Sequence, residues 1–391
     1  MLFRHQLLIA IGCGSALGAC TATDPAAPGG TEDSDSPLAR SVIPDPASGT
    51  TTAILNGQSM IRLGRARFSA TGVVHPPVGP SDHPPEAMSR DELARAFHAV
   101  SVDSQGDVYQ AAQPDWSLAD KITLLRANEA QLIAEKRSAE ALNPPPIFPG
   151  TVLGTDDRVR TTDPEASYYR RAAFFGFGGT GTCTGWMIGP RTGITAAHCV
   201  WDRATGTWLH GGTVWNPGND ANNAGPWSQV WNNGNYFPTI AQAYIDVGGV
   251  EWDLAIINFN NDVGSRTGWF GIDAAPAIAS NWFANIGYPS TPPNGGPWGA
   301  QYHSFQLENG SGNAIVLNTS IIRFSLDVTG GHSGGPVIQY TGDRSIGVVT
   351  NNGIGTDFNW GCRTTTSWVS AIDAWSDWTA VAWWGGNPAR T

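Results

Sequence analysis

The chain has 391 residues, a formal net charge of −11 and only 22 lysines and arginines. Proteins that bind nucleic acid cluster basic side chains against phosphates, so this composition argues against a nucleic-acid partner. Charged residues make up 14% of the chain, while 48 glycines and 27 prolines indicate many turns. This balance excludes a coiled coil, a collagen-like chain and a wholly disordered one.

Residues 1–19 have the layout of a secretory signal peptide, with Arg4 followed by the apolar stretch LLIAIGCGSALGA. We therefore expect export. The next residue, Cys20, ends the sequence LGAC, which resembles a bacterial lipobox and predicts a lipid on that cysteine. An ordinary signal peptide followed by a chance cysteine is the alternative. Membrane contact is expected only through this lipid, because no later apolar run could span a bilayer.

Residues 20–84 are rich in proline, small residues and acidic residues at their start. A tract of this kind buries too little apolar surface to fold. The sequence therefore predicts a disordered linker here.

Residues 85–150 predict a small helical prosegment. Ser89 with Glu92, and Ser117 with Asp120, have the spacing of capping boxes that begin helices. A run of three prolines ends the second helix. Its apolar stripe consists of Leu118, Ile122, Leu125, Leu132 and Ile133.

Residues 151–391 change character and carry short runs of β-branched and aromatic residues separated by Gly, Asn and Pro. This pattern predicts an all-β domain. The run SWVSAIDAW places Trp368, Ile372 and Trp375 at helical spacing, which predicts one packed C-terminal helix. Residues 201–238 show little periodicity and are expected to form a long surface loop.

Three segments inside the β region could carry chemistry: TAAHC with His198, WDLAII with Asp253, and GGHSGGP with Ser333. Each alone has a simple explanation as a surface histidine, a turn aspartate or a flexible loop. Together they supply what acyl transfer requires. A serine hydroxyl becomes nucleophilic when an imidazole accepts its proton, and a carboxylate orients that imidazole.

The glycines around Ser333 predict a second feature of such a site. They allow the backbone to turn so that the amides of Gly331 and Ser333 converge on a substrate carbonyl. Such an oxyanion hole contributes on the order of 3 kcal/mol per donor.

The order and spacing of the three motifs resemble those of the trypsin and chymotrypsin-like serine endopeptidases. The histidine and aspartate are 55 residues apart, and the aspartate and serine 80. The resemblance implies two six-stranded antiparallel β-barrels, with the triad in the cleft between them. Within that clan, the segments GTDDR, GYP and TGG resemble the bacterial glutamyl endopeptidase branch, whose members are commonly made with a propeptide.

Three of the five cysteines lie beyond the signal peptide and the lipobox. The resemblance implies a disulfide between Cys183 and Cys199, which would pin the loop that bears the base. Cys362 is left over. We favour a buried free thiol near the C-terminal helix, with an accidental unpaired cysteine as the alternative.

The substrate pocket differs from that of the resembled branch. A glutamyl endopeptidase has a hydroxyl residue five positions before the serine and a histidine on the following strand, whereas this chain has Val328 and Val349 there. Asp327 lies where trypsin places its pocket acid, which would favour Arg or Lys before the cut. Alternatively, Asp327 bonds to backbone amides in a turn. A preference for glutamate before the cut is the third alternative.

Activation is also expected to differ from trypsin, because His332 stands where trypsin has the aspartate that pairs with the new amino terminus. The sequence predicts a cut near Gly150 and Thr151. That cut would remove the prosegment together with any lipid on Cys20.

The leading hypothesis is therefore an exported, monomeric serine endopeptidase that acts on proteins or peptides. It would be held on the cell envelope as a lipoprotein, or secreted once the prosegment is removed. No cofactor and no metal ion are expected. The alternative is a catalytically idle relative that binds a glycan or a protein at the cell surface. Its binding surface would be four rings of the 201–238 loop: Trp208, Trp215, Trp227 and Trp231. The favoured interpretation of these rings is instead structural packing of the loop.

Overall fold

The computed structural model describes most of the chain between residues 52 and 376. The described ranges are 52–55, 58–69, 75–77, 79–103, 106–126, 156–176, 182–208, 213–221, 225–230, 236–274, 276, 282–307, 316–317, 320–339, 342–351 and 359–376. The expected signal peptide, the lipidation site at Cys20 and the expected cut near Gly150 lie outside these residues. They stay predictions.

Within the described ranges, twenty-two strands make up most of the regular structure. They are β1 (Thr52–Leu55), β2 (Gln58–Arg65), β3 (Ala99–Val102), β4 (Asp107–Ala111), β5 (Val159–Arg160), β6 (Ala172–Gly176), β7 (Thr182–Met187), β8 (Thr192–Thr195), β9 (Trp201–Asp202), β10 (Thr207–Trp208), β11 (Val214–Pro217), β12 (Gln229–Val230), β13 (Tyr236–Ala241), β14 (Ala255–Phe259), β15 (Gly271–Ile272), β16 (Trp282–Gly287), β17 (Tyr302–Leu307), β18 (Val316–Leu317), β19 (Ile321–Phe324), β20 (Pro336–Gln339), β21 (Arg344–Asn351) and β22 (Asn359–Arg363).

The described residues also include five α-helices. They are α1 (Arg90–Ala96), α2 (residues 116–126), α3 (Gln242–Asp246), α4 (Val263–Thr267) and α5 (Thr366–Trp375). Short 3-10 turns cover Pro85–Ala87, Tyr169–Arg171, Ala197–Cys199, Val250–Trp252 and Pro293–Gly295. Within the described ranges, no helix is both long and apolar enough to cross a membrane.

The strands form two large sheets that are almost wholly antiparallel. The first has the order β1-β2-β4-β3-β13-β14-β8-β7-β6-β11-β12, and the second has the order β18-β19-β22-β21-β20-β16-β17-β5. The predicted all-β fold with a C-terminal helix is therefore confirmed. His198 and Asp253 are positioned by the first sheet, and Ser333 immediately precedes β20 of the second.

The N-terminal part of the chain differs from both predictions made for it. Strands β1 and β2 lie inside residues 20–84, so the disordered linker was wrong for residues 52–65. The segment after residue 85 contains β3 and β4 as well as two helices. The physical reason is long-range pairing: β3 is stabilised by β13, which lies more than 130 residues later in the chain. A local sequence pattern does not reveal such a partner.

The predicted helix starts are half right. Ser89 and Glu92 form the expected capping box at the start of α1. In α2, however, the side chain of Asp115 caps the helix by accepting a hydrogen bond from the Leu118 amide at 2.8 Å. Ser117 therefore lies inside the first turn, and Asp120 forms an ion pair with Arg90 instead of a capping box.

The predicted surface loop at 201–238 was wrong for its described residues. This region contains strands β9 to β12, and Trp208 and Trp215 are 2% and 0% exposed. The ring of Trp215 packs over Gly185 and Gly193, where a side chain would overlap with it. The burial of Trp208 and Trp215 agrees with the structural packing favoured for these rings. The two glycines are far from Trp215 in sequence, so the local sequence does not reveal which residues the ring packs against.

The C-terminal helix is as predicted. Trp368, Ile372 and Trp375 are all buried on α5. Cys362, on the neighbouring strand β22, is a buried free cysteine, which confirms the favoured interpretation. Burial raises the pKa of its thiol, so it stays protonated and chemically inert.

Replacing Gly185 with Ala tests the packing of Trp215. We expect the free energy of unfolding to fall by about 1–3 kcal/mol, because the added methyl group forces the indole off its site. Gly79→Ala is the matched control, since no atom lies within 4 Å of a methyl group there. Chemical denaturation of both variants is the measurement, and equal losses would contradict the packing argument.

Candidate active site

His198 and Asp253 form a fully buried pair. The Asp253 carboxylate accepts a hydrogen bond from His198 Nδ1 at 2.6 Å and a second from the His198 backbone amide at 2.8 Å. Because Nδ1 donates its proton to Asp253, the other nitrogen, Nε2, keeps its lone pair. Nε2 is buried and has no hydrogen-bond partner among the described residues. The imidazole is therefore oriented to accept a proton at Nε2.

Both members of this pair lie at the ends of adjacent strands. His198 follows β8 in a 3-10 turn, and Asp253 precedes β14. Strands β8 and β14 are antiparallel neighbours, with Thr195 opposite Ala255. The apolar runs recognised in the sequence thus become paired strands that bring the two side chains together.

The turn that carries Ser333 lies directly against the His198 loop. The carbonyl oxygen of Ser333 accepts a hydrogen bond from the Thr184 amide at 2.7 Å and lies 3.7 Å from Cys199 Sγ. Gly334, whose φ is +86°, faces Thr195 so closely that a side chain there would overlap with it. Ser333 itself is partly exposed. The structure therefore places the backbone of the Ser333 turn beside the loop that bears His198. Among the described residues, no hydrogen bond joins His198 Nε2 to the Ser333 hydroxyl.

The disulfide implied by the resemblance is present. Cys183 on β7 is joined to Cys199, which lies 16 residues further along the chain. Closing a loop of this length contributes about 3 kcal/mol in the chain-entropy model. The loop that it closes is the one that bears His198.

Two backbone amides beside Ser333 are available to bind a ligand. Among the described residues, neither the Gly331 amide nor the Ser333 amide donates a hydrogen bond. Each amide N–H points away from the carbonyl group of its own peptide plane. A hydrogen bond to that carbonyl therefore fixes the direction of the N–H. The Gly330 carbonyl accepts from the amide and hydroxyl of Ser290 at 2.7 and 2.9 Å. The His332 carbonyl accepts from the Gly335 amide at 2.7 Å.

Thr184 connects these parts of the site, although the sequence analysis did not single it out. Its hydroxyl donates to the Gly331 carbonyl at 2.8 Å and accepts from the Tyr288 amide at 2.9 Å. Its own carbonyl accepts from the Thr195 hydroxyl at 2.8 Å. The one sequence signal for this role was its place beside Cys183. Ser290 likewise follows the GYP segment, where the resemblance gave a motif but no role.

Asp327 is buried, and its carboxylate accepts a hydrogen bond from the Asp157 amide at 2.9 Å. This contact supports the interpretation in which Asp327 bonds to backbone in a turn. Burial and the nearby Asp327 carboxylate raise the pKa of Asp157 to about 6. The two carboxyl groups also share a hydrogen bond, so one of them holds a proton at mildly acidic pH.

The other two expected pocket residues lie in a hydrophobic cluster. Val328 is 0% exposed and Val349 is 2% exposed, and both pack in the core of the second sheet. The backbone of Val349 pairs with the Ser333 turn, donating to Gly335 and accepting from Gly334. Their role as pocket walls stays a prediction.

His332, next to Ser333, is buried and neutral. Burial lowers its pKa to about 3, and the positive charge of Arg158 adds to this effect. Its Nδ1 accepts a hydrogen bond from the Thr329 amide at 3.0 Å. A neutral imidazole cannot form the ion pair that trypsin makes at this position.

One group of possible metal ligands occurs in the described ranges: Cys183, His198 and Cys199. The two cysteines are joined in the disulfide and have no thiolate to offer a metal ion. His198 Nδ1 is already bonded to Asp253. The group therefore does not fit a metal centre.

Comparisons with known proteins agree with this geometry. Residues 183–348 match the family model described as a trypsin-like peptidase domain. The chain is 28% identical over 316 residues to the glutamyl endopeptidase of Bacillus licheniformis, covering 78% of this chain and 92% of that relative. It is 24% identical over 241 residues to a protein of Bacillus subtilis named extracellular metalloprotease, covering 59% and 71%.

A solved structure of a glutamyl endopeptidase in complex with MPD also aligns with the chain. It is 23% identical, with a TM-score of 0.47, and covers 57% of this chain and 97% of that one. The matched domain and the curated relative show what the chain is similar to. Residues 183–348 match a trypsin-like peptidase domain, and the chain is similar to a serine endopeptidase over most of its length. Within that class it is similar to the glutamyl endopeptidases, as the sequence motifs indicated.

Replacing Thr184 with Val tests whether its hydroxyl holds the Ser333 turn. We expect kcat to fall on the order of 10-fold with little change in KM, because the Gly331 peptide loses an anchor next to the reacting carbonyl. Thr184→Ser keeps the hydroxyl and should restore most of kcat. Steady-state peptide hydrolysis is the measurement. If Val and Ser at this position are equally active, the hydroxyl has no such role.

The Asp157 carboxyl predicts a pH-dependent stability. The pKa of Asp157 is raised in the folded protein, so the folded state holds the proton of this carboxyl more tightly than the unfolded state does. The stability that the bound proton contributes is lost as the pH rises through about 6. Asp157→Asn should therefore raise the free energy of unfolding at pH 8 by about 1 kcal/mol. The effect is small because the side chain is partly open to water, which screens the repulsion. The gain should vanish at pH 4.

Urea denaturation at both pH values measures this difference. Asp163→Asn, at an exposed aspartate nearby in the sequence, is the matched control and should be neutral. A gain of the same size at both pH values would mean that repulsion between Asp157 and Asp327 is not its cause.

Proposed function

We propose that the chain hydrolyses peptide bonds through an acyl-enzyme on Ser333, with His198 as the base and Asp253 as the residue that orients it. The observation that carries the proposal is the buried His198–Asp253 pair with its two hydrogen bonds. This pair leaves Nε2 as the basic nitrogen of the imidazole.

The reaction proceeds in two halves. The Ser333 hydroxyl attacks the substrate carbonyl while His198 Nε2 takes its proton, and the resulting imidazolium is stabilised by Asp253. His198 then gives the proton to the leaving amine, which departs as the ester with Ser333 forms. Water enters and loses a proton to His198, and the second half repeats the sequence to release the acid and restore the Ser333 hydroxyl.

The amides of Gly331 and Ser333 are the proposed oxyanion hole. They carry no hydrogen bond among the described residues, and Ser290 and Gly335 fix the peptide planes to which they belong. Donors already aligned before the reaction stabilise the developing negative charge without reorganisation.

The alternative of an idle glycan-binding protein has less support. Trp208 and Trp215, two of the four rings expected to stack on sugars, are buried in the protein core. Trp227 is half-buried and has Arg170 over its ring at 5.3 Å. Trp231 lies outside the described residues.

We also propose that the protein is exported as a precursor, since its curated relatives include an extracellular protease. Residues 1–19 would be the signal peptide, Cys20 the lipid site and residues 151–391 the protease domain. The contact between Asp327 and the Asp157 amide supports a structural role for Asp327, with Val328 and Val349 shaping the pocket for the residue before the cut.

A fluorophosphonate probe, which reacts with activated serines, tests this function. We expect the probe to label the wild type covalently and to leave Ser333→Ala unlabelled. Ser265→Ala, which changes an exposed serine on α4, is the control and should label normally. Intact-mass spectrometry reads the result. A folded, processed wild type that takes no label, or a labelled Ser333→Ala, would refute the proposed nucleophile.

A further inference from the structure

We infer that the N-terminal region, residues 52–126, stays bound to the protease part after the chain is cut. The active enzyme is then a two-chain complex rather than a protease that has discarded a prosegment. This inference rests on the proposed function for the identity of the active species. Four sets of contacts support it.

Backbone pairing makes the N-terminal region part of the first sheet. Strand β3 pairs with β13, and Ser101, Val100 and Ala99 lie opposite Thr239, Ile240 and Ala241. The Gln242 amide adds a bond to the His98 carbonyl at 2.9 Å. Strand β13 in turn pairs with β14, which follows Asp253. Removing β3 would turn a central strand into an exposed edge beside the catalytic aspartate.

The apolar core runs across the same boundary without a break. Phe97, at the end of α1, contacts the rings of Trp252 and Trp368 with centroids 5.1 and 5.3 Å apart. Trp375 lies 6.2 Å from the same ring. These four side chains have at most 2% of their surface exposed. Loss of the N-terminal region would expose three tryptophans of the protease part to water, which strongly favours association.

Polar contacts tie the N-terminal region to the turn that immediately precedes Asp253. Glu251 is fully buried, and its carboxylate accepts hydrogen bonds from the amide of Ser81 at 2.8 Å and from the hydroxyl of Ser81. The Val250 amide donates to the Gly79 carbonyl at 3.1 Å, and Trp252 Nε1 donates to the His83 carbonyl at 2.9 Å. Without the segment 79–83, the Glu251 carboxylate would lose both hydrogen bonds from Ser81.

Contacts also reach the second half of the protease part. Glu86 hydrogen-bonds to Ser320 just before β19, and Lys121 forms an ion pair with Asp373 on α5 at 2.6 Å. The N-terminal region therefore contacts the segments around Asp253, the second sheet and the C-terminal helix. Residues 39–391 accordingly form one compact unit.

The N-terminal region does not occupy the catalytic groups. In the described part of the chain, no hydrogen bond joins residues 52–126 to His198, Gly331 or Ser333. Its polar contacts with segments adjoining the site include those at the Glu251 turn and at Asp202, which contacts His75 at 3.1 Å. The region thus supports the residue that orients the base while leaving the nucleophile accessible. This placement fits a retained part better than an inhibitor.

The test is a controlled cut in the full exported chain. A recognition sequence for a site-specific viral protease is inserted between Gly150 and Thr151, and the cut protein is run on a sizing column. We expect the two fragments to elute together and the fluorophosphonate probe to label that complex. Elution of a folded protease fragment without its N-terminal fragment would overturn the inference. So would unchanged labelling after the N-terminal fragment has been digested away.

Variants of the interface test which contacts hold the two fragments together. Phe97→Ala should weaken association of the cut fragments on the order of 100-fold and lower the labelling rate of the cut protein, while the uncut protein still labels. Lys121→Glu, which breaks one surface contact, should weaken association by a smaller factor. Leu124→Ala is the matched control, because Leu124 is 71% exposed on α2 and should change neither.

The two proposals fail in different ways. Co-elution is measured by mass and does not depend on activity, so it tests retention even if the protein takes no label. Absence of label on a folded, co-eluting complex would overturn the proposed nucleophile and leave retention standing.

Discussion

The contact on which the site depends is the pair of hydrogen bonds from His198 to the Asp253 carboxylate, one from the ring and one from the backbone amide. A single bond to the ring would fix the tautomer but leave the loop free to shift. The second bond fixes the loop and the ring together. Because both residues are fully buried, water does not compete for either bond. Strands β8 and β14 supply the frame, and the remaining parts of the site are arranged around this pair.

Thr184 provides the corresponding link between the two sheets. It lies on β7 of the first sheet, and it bonds to Ser333, Gly331 and Tyr288, which belong to the second half of the chain. The proposed base and the proposed nucleophile come from different sheets, so their separation is only as constant as the contacts between those sheets. Three hydrogen bonds from one small residue hold that separation at the place where the reaction occurs.

The sequence indicated the candidate site residues more completely than it indicated the strands and their pairing, for a physical reason. Three short motifs contain His198, Asp253 and Ser333, and acyl transfer requires those residue types. The local sequence was therefore enough to single these residues out. Strand β3, the burial of Trp215 and the role of Thr184 depend on partners far away in the chain. The sequence of the N-terminal region predicted a linker and a helical segment, because β13, the strand that pairs with β3, lies more than 130 residues downstream. The Ser89 capping box and the apolar stripe of α5 were predicted correctly, since both are local signals.

The packing of Phe97 against Trp252, Trp368 and Trp375 also constrains the order of folding. Synthesis proceeds from the amino terminus, so the aromatic cluster stays incomplete until the last helix has been made. Contacts between residues so distant in sequence form late, because a long loop must close first. The turn that bears Asp253 therefore gains its full support only when the whole chain is present. A growing chain that has not yet reached α5 lacks Trp368 and Trp375, two of the three tryptophans that pack around Phe97.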